Sequence, residues 1–409
     1  MSSLWAVSQH IMPVTVLSGF LWSGKTTLLK RILEQRDGQK VAVLVNDMAD
    51  LNIDASLIRH EVALEGTEEK LIEMSNGCIC CTLREDLLIA VERLCKEWTY
   101  DALIIESSGI SEPIPVAQTF SYKDPDTGID LSQYARLDTL VTIVDGAQLL
   151  EHVQGDTTLQ DLDMEAGEGD TRTLAELLID QVECCDVLLL NKTDLLDAES
   201  LDRVRRLLRT LQPNAKYIET TYADVAFDDI VNTRLFSLED AEQSAGWIKE
   251  LEMGHQAHTP ETEEYGVSSF VYRSHRPFHP QRLWKLLHSQ RPGVIRAKWF
   301  LWLATRPDSA LLYSQAGKSI RVQNGPRWLA SLTYQELEAM WLMEERARHQ
   351  DKPHKDRVTE LVCIGTHVDA EAISQLLDDA CMSASEERTN DTPDPFEDVL
   401  SPVGDAYAT

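Results

Sequence analysis

The feature that most constrains the fold is a short glycine-containing loop between an apolar strand and an amphipathic helix. Residues 19–26, GFLWSGKT, fit the pattern G-x-x-x-x-G-K-[S/T]. The residues before the loop, 13–18, are apolar and β-branched, which predicts a buried parallel strand. After the loop, apolar residues recur at helical spacing over residues 28–33. This order predicts a loop whose backbone N–H groups, with the helix amino terminus, hold phosphate oxygens.

Two side chains of this loop have chemistry suited to a nucleoside triphosphate. Lys25 would reach the β- and γ-phosphates, and the Thr26 hydroxyl would ligate Mg²⁺. A chance glycine turn before a helix is the alternative, and the flanking strand and helix disfavour it. The predicted phosphate-binding residues are Gly19, Ser23, Gly24, Lys25, Thr26 and Thr27.

An acidic residue ends the next apolar strand, where a carboxylate on the magnesium side belongs. The run from Ala102 to Ile105 leads into Glu106, which is one methylene longer than the usual aspartate and so favours contact through water. A strand-end acid without a role is the alternative. Gly109 would offer its N–H to the γ-phosphate. Asp47 and Asp50 are candidates for positioning Mg²⁺ or the attacking water.

The base is indicated by the tetrapeptide N-K-x-D, which follows another apolar strand at residues 191–194. The carboxylate of Asp194 can accept both the N1–H and the exocyclic amine of guanine, a donor pair that adenine lacks. Asn191, Lys192 and Asp194 are therefore predicted to bind guanine, and the expected cofactors are GTP and Mg²⁺. An Asx turn at a strand end is the alternative. Thr220 or Thr221 is a further candidate for contact with the base.

Three of the eight cysteines form a cluster, Cys78, Cys80 and Cys81. They precede Thr82, the predicted N-cap of an amphipathic helix, and thiols at a helix amino terminus have depressed pKa values. Three thiolates would supply most of a tetrahedral Zn²⁺ site, and Co²⁺ or Fe²⁺ would use similar chemistry. A redox pair and a packed turn are the alternatives. The other five are expected to be small core residues: Cys95, Cys184, Cys185, Cys363 and Cys381.

Charge and hydropathy exclude several classes of partner. Lys and Arg number 38 against 68 Asp and Glu, and the net charge of −30 argues against nucleic acid and anionic membranes. No apolar run reaches membrane-spanning length, and the first residues lack the features of a secretory signal. We therefore expect a cytoplasmic, reducing environment, in which clustered cysteines serve metal or redox chemistry.

Alternating strands and helices in the first half predict an α/β, doubly wound, mostly parallel sheet. Residues 47–76 are charged and weakly periodic, so we expect a mobile switch segment there. One continuous helix is predicted from Tyr334 to Arg348. The predicted organisation is a nucleotide-binding domain at 1–236, a linker at 237–265, a smaller α+β domain at 266–382 and an acidic disordered tail at 383–409.

Four motifs occur in a fixed order along the chain: residues 19–26, 76–82, 106–109 and 191–194. In this order they resemble the CobW-type metallochaperone GTPases. Residues 45–48, 107–113, 258–266 and 276–280 are similar to the branch that contains nitrile hydratase activators and zinc-handling GTPases. Over residues 13–382 the resemblance implies a P-loop GTPase domain, a smaller C-terminal domain, weak GTP hydrolysis, a transition metal at the cysteines and delivery to a client metalloenzyme. That client would be nitrile hydratase-like or a zinc enzyme.

One residue departs from this family pattern within the phosphate loop. Trp22 stands where the family usually carries glycine or another small residue, and an indole there would pack over the nucleotide or obstruct it. The alternative function is therefore a non-enzymatic metal-binding or buffering scaffold with an impaired nucleotide site. Our main prediction is a switch in which GTP and Mg²⁺ engage Lys25, Thr26 and Glu106 and order residues 47–82. The nucleotide state would then change the geometry of the thiolates.

Overall fold

The computed structural model describes most of the chain. The described residues are 11–45, 71–73, 84–97, 99–121, 128–162, 164, 170–238, 267–289, 293–349, 351–383, 386 and 393–396. The predictions for Asp47, Asp50 and the three clustered cysteines concern residues outside this set. The chain divides into two units, Met1–Gly246 and Trp247–Thr409, and the division falls within the segment that the sequence predicts as a linker.

A seven-stranded parallel sheet forms the first unit, with the strand order β3-β2-β4-β1-β5-β6-β7. Its strands are β1 (Met12–Ser18), β2 (Val41–Val45), β3 (Leu71–Glu73), β4 (Ala102–Glu106), β5 (Ala135–Asp145), β6 (Val187–Asn191) and β7 (Lys216–Glu219). The short β3 lies inside residues 47–76, the segment predicted as a mobile switch, where the sequence analysis predicted no strand. Leu71 and Ile72 pair with Val43 and Leu44 of β2, because an apolar run beside a strand edge gains backbone hydrogen bonds there.

Helices cover both faces of this sheet, which confirms the doubly wound fold. The helices are α1 (Lys25–Glu34), α2 (Arg84–Glu97), α3 (Pro113–Ser121), α4 (Gly146–Gln154), α5 (Leu174–Glu183) and α6 (Ala198–Leu211). Strand β2 shows the two faces: Ala42 and Leu44 pack in one core with α2 and α3. Val43 belongs to the opposite core, which contains the apolar face of α1. Successive residues point to opposite faces, so an unbroken apolar strand indicates burial on both.

Helix α5 begins with a capping box, in which Thr173 and Glu176 exchange hydrogen bonds. The Glu176 N–H donates to the Thr173 hydroxyl at 3.3 Å, and the Thr173 N–H donates to the Glu176 carboxylate at 2.8 Å. Thr173 also bridges Thr158 in an isolated antiparallel pair. This capping box satisfies two helix-terminal donors and fixes the position of Arg172, which immediately precedes it.

A five-stranded antiparallel sheet forms the second unit, with the order β11-β10-β9-β12-β8. Its elements are β8 (Val267–Ser274), α7 (Pro280–Leu287), β9 (Val294–Leu301), β10 (Ser309–Ala316), β11 (Ser319–Arg327), α8 (Tyr334–Ala339), α9 (Met343–His349), β12 (Thr359–Thr366) and α10 (Ala370–Ala380). Apolar residues of α7 and α10 share a core with the sheet. The predicted continuous helix over 334–348 is wrong, because the chain breaks it at Trp341, whose φ is 58°.

The structure also differs from the predicted disordered tail at residues 393–396. Phe396 is fully buried and meets the Trp284 ring edge-on, at 5.1 Å between ring centroids. Asp394 accepts hydrogen bonds from the Thr305 hydroxyl and from Arg306, each at 2.9 Å. An aromatic anchor with a paired carboxylate therefore holds this piece of an otherwise acidic segment on the second unit. Within the described residues, no helix has the length and apolarity that a bilayer crossing requires.

Candidate nucleotide site

The phosphate loop requires glycine at both ends. Gly19 has a φ of 143°, and a Cβ there would lie 2.3 Å from the Ile143 carbonyl oxygen. Gly24 has a φ of 116°, and a Cβ there would lie 2.5 Å from Nδ2 of Asn191. Both positions combine a left-handed backbone with no room for a side chain. The loop thus brings its backbone against the strands and leads directly into the amino terminus of α1.

Lys25 lies inside the curve of this loop. Its Nζ donates to the carbonyl oxygen of Gly19 at 2.7 Å and to that of Phe20 at 3.3 Å, and the residue is buried. The ammonium is therefore held where the loop and the helix terminus would receive phosphate. Thr26 is half-buried and Thr27 is exposed, both in the first turn of α1. Gly19, Gly24 and Lys25 thus line one loop, and Thr26 and Thr27 follow it in α1.

Asn191 joins the phosphate loop to the base side of the site. It is buried at the end of β6, and its Nδ2 donates to the Ser23 carbonyl oxygen at 2.8 Å. Its Oδ1 accepts the Ala223 N–H at 3.0 Å, in the loop that follows β7. One amide side chain therefore bridges two loops that are far apart in sequence, and the pairing leaves the asparagine donor and acceptor both satisfied.

Of the remaining residues of the N-K-x-D motif, Lys192 and Thr193 are half-buried and Asp194 is exposed. Lys192 has a left-handed backbone with a φ of 60°, and its Nζ lies 2.7 Å from Oδ2 of Asp145 at the end of β5. Asp145 also caps α4 by accepting the Ala147 N–H at 3.0 Å. Asp194 is exposed, which leaves its carboxylate accessible to a base in solvent. The ion pair of Lys192 with Asp145 thereby fixes the motif to β5, and the Asp194 carboxylate is accessible to a guanine base.

The loop after β7 completes this side of the site. The Thr220 carbonyl oxygen accepts the Thr193 hydroxyl at 3.2 Å, which ties the loop to the motif. The next residues, Tyr222 and Ala223, have left-handed φ values of 53° and 54°. Tyr222 is largely exposed, and Ala223 is buried against Asn191. Thr220 and Thr221 are the candidates that the sequence indicates here; it does not indicate Tyr222 and Ala223, because residues other than glycine at positive φ leave no signal in a single sequence.

Glu106 lies at the same level of the sheet as the end of β1. The register pairs Glu106 with Leu17 on one side and with Val45 on the other. The next residue, Ser107, donates both its N–H and its hydroxyl to the Leu17 carbonyl oxygen, each at 3.0 Å. Glu106 is buried and therefore ends β4 beside the end of β1, after which the phosphate loop begins.

The loop after β4 is buried and packs on the phosphate loop. Gly109 is so close that a Cβ would lie 2.8 Å from Cδ2 and 3.1 Å from the backbone nitrogen of Leu21. The Ser111 N–H donates to the Ser108 carbonyl oxygen at 3.1 Å, and the hydroxyls of the two serines lie 2.6 Å apart. Gly109 therefore packs directly against the phosphate loop at Leu21.

Trp22 does not close the site. It lies at the apex of the loop with a φ of 63°, and 84% of its surface is exposed. Phe20 instead packs inward, with its ring 6.0 Å from that of His152 on α4. Burial lowers the pKa of His152, so the neutral imidazole is favoured beside this apolar ring. The apical indole is a solvent-facing group and leaves the cradle open.

Four of the five cysteines predicted to be core residues are buried: Cys95, Cys185, Cys363 and Cys381. Cys184 is only half-buried, because it ends α5. Burial raises the pKa of Cys95 to about 12 and also raises the pKa of Cys185. Both thiols therefore stay protonated at neutral pH, which disfavours metal binding or nucleophilic attack by them. Within the described part of the chain, no group of His, Cys, Asp and Glu residues is arranged to hold a metal ion.

The residues present fit a guanine nucleotide with Mg²⁺. The glycine cradle would be filled by any Cβ, and the buried Ser23 hydroxyl has no hydrogen-bond partner among the described residues. Lys25 and the α1 terminus would neutralise phosphate charge, whereas Thr26 and Glu106 are oxygen donors of the kind that Mg²⁺ binds. Fold and site together define a P-loop nucleoside triphosphatase with a guanine-type base motif.

Comparison with known proteins extends this class to a family. Residues 13–219 match the CobW/HypB/UreG nucleotide-binding domain, and residues 267–381 match the cobalamin synthesis protein cobW C-terminal domain. The chain belongs to this CobW/HypB/UreG family of P-loop GTPases. It is a GTPase, and GTP and Mg²⁺ are its cofactors. The family resemblance drawn from the motifs is thereby confirmed.

Three similar proteins carry names that bear on metals. The Dictyostelium discoideum zinc-regulated GTPase metalloprotein activator 1 is 44% identical over 364 residues, covering 87% of this chain and 76% of that protein. The Schizosaccharomyces pombe protein of the same name is 37% identical over 220 residues, 54% of this chain and 47% of its own length. The zinc chaperone CobW of Sinorhizobium sp is 34% identical over 202 residues, 48% of this chain and 55% of its own length. This chain thus spans about half the length of the last two.

Proposed function

We propose that this GTPase is a metallochaperone that binds a transition metal at Cys78, Cys80 and Cys81 and delivers it to a client metalloenzyme. Zinc is the proposed metal, because relatives are named zinc-regulated activator and zinc chaperone and because thiolates suit Zn²⁺. The same thiolates would also bind Co²⁺ or Fe²⁺. The proposed clients are zinc enzymes or nitrile hydratase-like enzymes.

One observation of the sheet carries this proposal. The registers align Leu17 of β1, Glu106 of β4, Val45 of β2 and Glu73 of β3 in a single row at the carboxyl edge. Strand β3 therefore ends at the edge that holds the phosphate loop, and residues 74–83, which contain the cysteines, follow it in the sequence. Three strand spacings separate β3 from β1, or about 14 Å.

This placement supports an energetic link between nucleotide and metal. Residues 46–70 join β2 to β3, and residues 74–83 join β3 to α2, so both connections begin at the level of Glu106. We assign Lys25, Thr26, Glu106 and Asp47 to phosphate, Mg²⁺ and attacking-water contacts. A change in the nucleotide would then bias the chain that supplies the thiolates, with hydrolysis favouring release of the ion.

A scaffold with an impaired nucleotide site is the less favoured function. Its support was Trp22, which would obstruct the cradle only if the indole packed inward. The exposed position of Trp22 removes the reason to expect weak GTP binding. A titration with fluorescent GTP separates the two functions, because the scaffold predicts no saturable binding.

Zinc affinity in three nucleotide states tests the proposed coupling. We expect the Zn²⁺ dissociation constant to differ about tenfold or more between the GDP form and a form with a non-hydrolysable GTP analogue, since such couplings are typically 1–3 kcal/mol. Replacing all three clustered cysteines with serine should abolish this binding. Cys184→Ser is the matched control, because Cys184 is the one half-buried thiol outside the cluster among the described residues.

Lys25→Ala separates the two halves of the proposal. This variant should lose GTP hydrolysis yet bind Zn²⁺ in the nucleotide-free form as the native protein does, because Lys25 belongs to the phosphate cradle. Equal Zn²⁺ affinity in the GTP-analogue, GDP and empty forms would refute the coupling. Metal analysis of co-purified partners, with and without GTP, would identify the metal and the client together.

A further inference from the structure

We propose that Arg172 and Gln181 are positioning residues for GTP, which hold the loop at residues 107–112 so that Gly109 faces the terminal phosphate. Neither residue belongs to a nucleotide-binding motif of the sequence. This inference rests on the proposed contact between Gly109 and the γ-phosphate. Arg172 and Gln181 would hold the loop in the binding conformation before the nucleotide arrives.

Gln181 holds the loop from inside the domain. Its side chain is fully buried on α5, and Nε2 donates to the carbonyl oxygens of Gly109 at 3.2 Å and of Ser111 at 3.1 Å. Its Oε1 has no hydrogen-bond partner among the described residues, so the amide acts here only as a double donor. The Gln181 backbone carbonyl accepts the Thr142 hydroxyl of β5 at 2.7 Å, which ties this point of α5 to the sheet.

Arg172 holds the same loop from its rim. Nη1 donates to the Ile110 carbonyl oxygen at 3.3 Å and to Oε1 of Glu112 at 2.9 Å. On its other side, Nε and Nη2 bind the two carboxylate oxygens of Asp170 at 2.9 and 2.7 Å. Hydrogen bonding to Asp170 raises the pKa of this guanidinium against the effect of burial, so it is a permanent cation. The capping box of α5 begins at the next residue and fixes its origin.

Together these two side chains donate hydrogen bonds to three consecutive carbonyl oxygens, those of Gly109, Ile110 and Ser111. Each carbonyl of such a buried loop needs a hydrogen-bond donor, because a buried carbonyl without one costs about 1–3 kcal/mol. Holding Ser111 also preserves its N–H bond to the Ser108 carbonyl. That bond orients the peptide unit between Ser108 and Gly109. Since the unit is trans, the Gly109 N–H points away from Ser111.

The consequence is specific to the triphosphate. The loop contacts the phosphate loop at Leu21 through Gly109, whereas Lys25 and the α1 terminus hold phosphate independently of it. Loosening the loop should therefore weaken contacts to the terminal phosphate and spare those to a diphosphate. A misplacement of about 1 Å in such a group can cost about 100-fold in rate.

The test compares Arg172→Met, Arg172→Lys and Gln181→Met in the full chain. For the two methionine variants we expect affinity for a β,γ-imido GTP analogue to fall about tenfold or more, with GDP affinity within about twofold of native. Arg172→Lys should recover part of the loss, because an ammonium keeps the charge contact but not the fork. Arg206→Met is the matched control, since Arg206 also pairs with a carboxylate, that of Asp202 on the surface of α6.

Two outcomes would overturn the inference. Equal losses for the analogue and GDP would mean that Arg172 and Gln181 only stabilise the domain, and unchanged affinity for both would mean that the loop needs neither. Lys25→Ala distinguishes failure of the underlying site: if that variant hydrolyses GTP normally, the phosphate cradle itself is misassigned. If Lys25→Ala is inactive and the methionine variants behave as native, only the positioning role is refuted.

Discussion

Replacing Asn191 with alanine should disconnect the phosphate side of the site from the base side. The amide makes two buried hydrogen bonds, from Nδ2 to the Ser23 carbonyl at 2.8 Å and from the Ala223 N–H to Oδ1 at 3.0 Å. Alanine would leave one carbonyl and one N–H without these partners. At about 1–3 kcal/mol for each buried unsatisfied group, the two together amount to about 2–6 kcal/mol.

This loss should appear in two measurements. Urea unfolding followed by circular dichroism should show a lower free energy of unfolding, and titration with fluorescent GTP should show weaker binding. If the cost of one unsatisfied group destabilises only the nucleotide-bound protein, GTP affinity decreases about 10- to 100-fold, since every 1.4 kcal/mol is about tenfold. The loss should affect GTP and GDP alike, because Asn191 contacts backbone groups of Ser23 and Ala223 and neither group belongs to the loop at residues 107–112.

Asn191→Asp is the matched variant. It keeps the shape and the acceptor for Ala223 but sets a carboxylate oxygen against the Ser23 carbonyl, so the contact to Ser23 is lost and repulsive. Thr193→Val, which removes the part-buried hydrogen bond from the Thr193 hydroxyl to the Thr220 carbonyl, controls for general disturbance of the motif. The reasoning is refuted if Asn191→Ala changes the unfolding free energy by less than about 0.5 kcal/mol, the range of an ordinary surface substitution, and leaves GTP affinity as it was.

Two further predictions concern the base and the second unit. Asp194→Asn should reduce the preference for GTP over ATP about tenfold or more, because an amide cannot accept both guanine donors, and competition binding with the two nucleotides measures it; an unchanged ratio would mean that Asp194 does not read the base. Phe396→Ala should lower the free energy of unfolding of the second unit by about 3–5 kcal/mol, the usual cost of emptying a buried phenylalanine site. Leu376→Ala, at an exposed position, is the control, and equal small effects of both would show that residues 393–396 are not anchored.

The sequence predicts those features of the fold that depend on neighbouring residues, and it fails for features that depend on contacts with distant segments. Strand β1, the loop at 19–26 and α1 are contiguous, so apolar periodicity and two glycines were enough to predict them. The N-K-x-D motif is also contiguous: Asn191 ends β6, as the apolar run before it predicted, and Asp194 lies in the turn that follows. Short-range signals failed where a neighbour decides the outcome: β3 forms because β2 offers it an edge, and the helix predicted over 334–348 breaks at a residue with no helix-breaking chemistry.

The sequence alone therefore determined the class of the protein, because the loop, the acidic strand end and the guanine motif are local patterns. Each can be recognised from a few neighbouring residues and their chemistry. Only the tertiary structure decided how they act together. Asn191 bridges to Ser23 across 168 positions, and Arg172 reaches Ile110 across 62. Such pairs carry no pattern in the chain, because their partners are selected by the order of strands in the sheet and by the need to satisfy buried backbone groups. Sequence thus specified the reacting groups, and folding specified which side chains hold them in place.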